Sequence, residues 1–137
     1  MRTATIAAVI ISIQFAITGW AQVDRSPLRE RIPKPNPAKY QQVRDGKDWK
    51  NPFLVVRPNG IEIIGVTPRP GYISLQDVTK ELEHLPSSAW PYGLVVAVAD
   101  VGIVSGGDDL PKIHANRQKL LALLKHLGIA ADLWPSG

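Results

Sequence analysis

The chain contains no cysteine, a single methionine and only two phenylalanines. Without cysteine there is no disulfide framework, no thiolate nucleophile and no Cys-based zinc or iron–sulfur site. Motifs with a defined chemistry are missing as well. No Gly-x-Gly-x-x-Gly, no P-loop Lys-Ser/Thr after a glycine run and no His-Glu-x-x-His occurs, and no serine sits in the Gly-x-Ser-x-Gly setting of a nucleophile elbow. Such a domain is held together by core packing alone. At 137 residues the chain has room for one ordinary domain. Hydrophobic residues make up 45% and charged residues 20%, the composition of a chain that buries a core.

The formal charge of +4 is unevenly spread. Arg25, Arg29, Arg31, Lys34, Lys39, Arg44, Lys47, Lys50 and Arg57 face only Glu30, Asp45 and Asp48 between residues 25 and 57, a net of +6. From residue 58 onward six basic residues meet eight acidic ones, a net of −2. The basic character therefore belongs to the N-terminal part, and the remainder lacks the positive face of a nucleic-acid-binding domain.

Met1-Arg2-Thr3 precedes an apolar run from Ala4 to Ile17 broken by Thr5, Ser12 and Gln14, and Gly19-Trp20-Ala21 supplies small residues before Gln22. This is the order of a secretory signal, with cleavage expected after Ala21 and a periplasmic or secreted product. The competing reading is an inner-membrane anchor over residues 4–21, since a span needs roughly 20 apolar residues. Residues 22–52 follow with Pro27, Pro33, Pro35, Pro37 and Pro52, dense charge and no apolar period, and read as a basic tether. Within it, Tyr40 to Trp49 is the stretch able to dock its aromatics on the domain. Deleting residues 23–50 is expected to leave a folded domain over residues 53–137.

That domain reads as ββαβαβ, an α/β chain of the α+β sandwich kind with both helices on one face of the sheet. Phe53 to Arg57 and Ile61 to Ile64 flank Asn59-Gly60, a hairpin signal because both turn residues tolerate positive φ, with Glu62 on the wetter face. Thr67 to Gly71 breaks the chain. Ser74 with Asp77 three residues on marks a helix start; Leu75, Val78, Leu82 and Leu85 share one face, and Pro86 ends the helix. Gly93 to Ala99 is a continuous apolar strand, expected to be covered on both faces. Lys112 to Leu127 is a second helix with Ile113, Leu120, Leu124 and Leu127 on one face and Gly128 as its left-handed cap. Ile129 to Leu133 is the last strand.

The loop from Asp100 to Pro111 lies where α/β folds usually bind ligands. An alternative reading as a small secreted hydrolase or ligand-binding protein is built on Asp100, Ser105, Asp108, Asp109 and His114. A connector with Asp109 or its neighbour capping the helix fits better, because the adjacent carboxylates would repel an anion there. His84, His114 and His126 match no metal-ligand spacing and read as surface residues, His126 in the last helical turn where positive charge complements the dipole. Trp49, Trp90 and Trp134 read as core-edge packing. No catalytic, cofactor-binding or metal-ligating residue is assigned, and no cofactor is expected.

The segments Leu54-Val55-Val56-Arg57-Pro58-Asn59-Gly60-Ile61-Glu62-Ile63, Ser74 to Leu85, Val95-Val96-Ala97-Val98-Ala99-Asp100 and Lys119 to Ile129 occur in an order that resembles the periplasmic domain of the ExbD/TolR family over roughly residues 53–133. The family's small subunits serve proton-driven energy-transducing complexes of Gram-negative envelopes. The resemblance implies a periplasmic α/β domain that works by contacting other envelope proteins. The family's membrane helix carries an aspartate in the proton path, whereas residues 4–17 contain no acidic side chain, so proton coupling is not implied. The expected function is that of an exported, non-enzymatic interaction module using an exposed sheet edge or its basic tether. Expected partners are an envelope protein, an anionic membrane surface or polymer held by the basic linker, and a second copy of the chain; nucleic acid is not among them.

Overall fold

The computed structural model describes residues 27–64, 72–101 and 109–135. The expected signal segment with its cleavage site, the break at Thr67 to Gly71 and most of the Asp100 to Pro111 loop lie outside the described residues.

A four-stranded mixed sheet, in the order β2-β1-β3-β4, forms the centre. Strands β1 (Phe53–Arg57) and β2 (Gly60–Ile64) form an antiparallel hairpin, while β1 runs parallel to β3 (Val95–Asp100) and β3 parallel to β4 (Ala130–Leu133). The hairpin stands where Asn59-Gly60 predicted it, but its turn differs. Pro58 and Asn59 occupy the turn, Arg57 pairs with Gly60, and no non-glycine described residue has positive φ. Pro58 fixes its own φ near −65°, which favours an ordinary turn over the mirror-image type. Glu62 is half-buried and paired with Arg57 at 2.5 Å.

Helices α1 (Leu28–Arg31), α2 (Leu75–Glu83) and α3 (Leu110–Leu127) contribute to one hydrophobic core. Val78, Leu82 and Leu85 from α2 and its exit meet Ile113, Leu120 and Leu124 of α3 over Leu54, Val56, Ile61, Ile63, Val96 and Val98. The expected placement of both long helices on one face is thus what the packing shows. Ser74 is the N-cap of α2, but its hydroxyl bonds the Asp77 carboxylate at 3.0 Å rather than a backbone amide. Helix α3 starts two residues before the expected Lys112, because Pro111 falls in the first turn where its missing N–H costs nothing. It ends at Gly128, with φ of 77° as the left-handed cap requires.

The tether reading of residues 22–52 does not survive over residues 27–52. This segment wraps the N-terminal end of β3 and covers parts of both faces of the sheet. Leu28 and Ile32 enter the helical core at 3% and 4% exposure. The chain then crosses over, with Pro33 accepting from the amide of Leu94 and the amide of Asn36 donating to Tyr92. Two short 3₁₀ turns, Pro37–Lys39 and Gly46–Asp48, lay Tyr40, Val43 and Trp49 against Tyr92, Val95 and Ala97 on the opposite face. The docking of aromatics from Tyr40 to Trp49 is as the sequence allowed, through 3₁₀ turns. Prolines and charge masked the rest, since Leu28, Ile32 and Asn51 turn inward with no helical or strand period. Strand β3 is covered on both faces, as its apolar run predicted, and this segment supplies the second cover.

Candidate functional site

Three places collect side chains able to meet another molecule: the C-terminal end of β3, the outer surface of the 33–52 layer, and the free edge of β4.

At the end of β3, Asp100 is mostly buried and accepts from Arg117 of α3 at 3.3 Å. Its other oxygen, Oδ1, is buried with no hydrogen-bond partner among the described residues. Beside it, Asn116 donates to the carbonyls of Arg57 and Pro58, closing the end of β1, and Arg57 lies 5.3 Å over the ring of Tyr72 while paired with Glu62. Each charged group here is tied to a structural neighbour. Asp109 occupies the N-cap of α3 without a side-chain cap bond, so the expected capping role is not seen for Asp109. His114 is exposed on α3, and Ser105 and Asp108 lie outside the described residues. Among the described residues no three His, Cys, Asp or Glu side chains group as metal ligands. His84 and His126 are exposed, with His84 Nδ1 2.6 Å from the Lys80 carbonyl oxygen. His126 lines a cleft of about 170 Å³ with Leu28, Arg29 and Glu83, well below the roughly 300–1,000 Å³ of ordinary ligand sites.

The second place is the layer over β3. Trp49 is its centre, with ring centroids 5.0 Å from Tyr92, 5.4 Å from Tyr40 and 5.8 Å from Trp134, all edge-on or tilted as ring quadrupoles prefer. Trp134 also meets Phe53 at 5.3 Å. The Trp49 indole donates to the Pro52 carbonyl at 3.1 Å, and the Tyr92 hydroxyl bonds the Asp48 carbonyl. Trp90 is 3% exposed in the helical core. All three tryptophans singled out in the sequence are packing residues. Burial, and next the negative charge of Asp132, raise the hydroxyl of Tyr40 above the ordinary tyrosine value of 10.0.

The outer side of this layer carries Lys34, Lys39, Arg44, Lys47 and Lys50, all exposed, against Asp45 and Asp48. Much of the +6 character assigned to a tether is instead carried by exposed side chains of a segment packed on the sheet. Arg44 is held by the carbonyls of Gln41 and Val43, and Lys47 pairs with Asp45 at 3.5 Å. The residue that sequence reading missed is Asn51. It is 4% exposed, a lone polar group with no periodic or motif signal, yet it locks the layer to β3.

The third place is β4, four residues long and last in the sheet. Ala130 donates to Leu94 and Trp134 to Val98, so the alternate backbone groups of Ala131 and Leu133 face away from β3. Ala130, Ala131 and Leu133 are exposed, Leu133 at 53%. No strand among the described residues pairs beyond it.

Among the described residues no helix is long and apolar enough to cross a membrane. Comparison with protein-family models, with curated proteins and with solved structures returns no match, so the site rests on its own geometry.

Proposed function

We propose that this chain is an exported, non-enzymatic interaction module that resembles the periplasmic domain of ExbD/TolR subunits without their proton-coupling helix, and that it receives an envelope partner along the edge of β4. One observation carries the reading: β4 combines outward-facing backbone groups at Ala131 and Leu133 with exposed apolar side chains at Ala130, Ala131 and Leu133. An extended segment laid on such an edge gains backbone hydrogen bonds, and its alternate side chains meet the exposed apolar ones. Natural edges are often blunted by charge or proline. Here the lone charge of the strand, Asp132, accepts from the Trp134 indole at 2.9 Å, and Pro135 follows the strand rather than interrupting it.

The alternative, a hydrolase or ligand-binding site around residues 100–111, has less support. Asp100 is engaged by Arg117, and the exposed His114 lies among no metal-ligating group in the described residues.

Ala131→Pro tests the edge. The change removes an amide that β3 does not use, so the domain keeps its thermal transition while capture of envelope proteins in a pull-down is lost. Equal capture by the variant and the wild type overturns the role of the edge.

A further inference from the structure

We propose that the surface formed by Lys34, Lys39, Arg44, Lys47 and Lys50 is a docking face for an anionic lipid bilayer. The inference is independent of the β4 edge. It starts from the finding that this basic stretch is a fixed layer and not a mobile chain.

Charge complementarity makes the first part of the case. Five exposed cations meet two carboxylates within residues 34–50, and Asp45 is occupied by Lys47 and by the Lys47 amide. The ammonium groups of Lys34 and Lys50 make no hydrogen bond or ion pair among the described residues, and Lys39 reaches only the Pro91 carbonyl at 3.4 Å. These three charges are therefore available to a partner. Outside residues 34–50 the described chain balances eight basic against eight acidic side chains, with α3 basic and α2 acidic, so the net positive charge of the described residues lies in this layer.

The aromatic side chains decide which polyanion fits. A single-stranded nucleic acid or similar polymer is gripped by exposed rings that stack on its units, with cations alongside. In this layer Tyr40, Trp49 and Tyr92 are turned inward and used against Val95, Ala97, Phe53 and Trp134, leaving cations and short polar residues outside. The surface reads charge and offers no stacking platform. A negatively charged membrane face, which supplies diffuse charge over an area, is the partner such a surface suits.

Rigidity adds to the fit. Asn51, Trp49 and Tyr92 hold the backbone under the lysines, so binding orders few residues and the charges meet the surface together.

The test is co-sedimentation of the full chain with vesicles of phosphatidylcholine alone and with vesicles containing about one-third phosphatidylglycerol. Comparing the two cancels any insertion of the apolar N-terminal run, which is common to both. The wild type partitions more strongly onto the anionic vesicles, by tenfold or more, and loses the difference at high salt. The triple variant Lys34→Glu, Lys39→Glu, Lys50→Glu removes the difference. The control Lys80→Glu, Lys119→Glu on the helices retains it, and unchanged melting of both variants shows that they fold. Equal partition on the two vesicle types, or a triple variant that still prefers anionic vesicles, overturns the proposal. Binding to soluble polyphosphate or heparin without preference for anionic vesicles overturns it as well, in favour of a polymer.

Discussion

The side-chain oxygen of Asn51 accepts the backbone amide of Tyr92 at 2.9 Å, while the Asn51 amide donates to the carbonyls of Gly93 and Val95 at 2.8 Å each. One buried side chain thus satisfies three backbone groups at the entrance to β3 and ties the N-terminal layer to the sheet. Asn51→Ala removes the partner of the Tyr92 amide and of the Val95 carbonyl, while the Gly93 carbonyl keeps the Val95 amide. It is expected to destabilise the fold by about 1–3 kcal/mol, read as a lowered midpoint in urea. Asn51→Asp retains the acceptor but sets a carboxylate against two carbonyls, so it is expected to cost more at neutral pH than under mildly acidic conditions. An Asp variant no less stable than wild type would show that the latch is not formed.

Residues 27–52 are part of the domain, and their loss is expected to unfold it. Leu28→Ala and Ile32→Ala each remove a nearly fully buried side chain and should cost about 2–5 kcal/mol. Deleting residues 27–50 takes Leu28 and Ile32 out of the helical core on one side and uncovers Val95 and Ala97 on the other. Chemical denaturation of the deletion variant is then expected to show no cooperative transition. A truncated protein with wild-type unfolding behaviour would return this segment to the status of a tether.

That segment also shows where the sequence was legible and where it was not. The hairpin, both long helices, the double-sided β3 and the Gly128 cap follow from periodicity and turn chemistry, because the side chains that carry them repeat at 2 or 3.6 residues. Leu28, Ile32, Tyr40, Val43, Trp49 and Asn51 share no such period. They reach the core through prolines and 3₁₀ turns, and each is placed by a contact distant in sequence, such as Asn36 with Tyr92. The β4 edge was half visible: its apolar residues mark a strand, but strand order is a property of pairing, which no local pattern reveals. The basic surface was visible as composition and invisible as geometry.

Gly93 provides a local test of the crossover. Its φ is 89°, and a β-carbon there would overlap the Lys34 carbonyl, which lies directly against it. Gly93→Ala therefore incurs both backbone strain and displacement of the Pro33 to Pro35 strand of chain. The expected loss is about 2 kcal/mol or more. A fall of several degrees in melting temperature checks it, whereas an alanine variant that melts with the wild type would mean that the layer does not approach β3 this closely.

Tyr40 gives the layer a signature in alkali. In the folded protein its hydroxyl is held above the ordinary value, first by burial and then by Asp132, whereas in the unfolded chain it ionises near 10.0. Below that pH both states are neutral at this position and the contribution is fully present. As pH rises above about 10 the unfolded state loses its proton first, so stability falls until the folded group ionises too. Tyr40→Phe removes this loss, and the stability difference between variant and wild type should shift in the variant's favour from neutral pH to pH 11. Asp132→Asn should shrink that shift without abolishing it, since burial is the larger cause. Parallel pH profiles for wild type and Tyr40→Phe would place Tyr40 in water, and with it the outer half of the layer that carries the lysines.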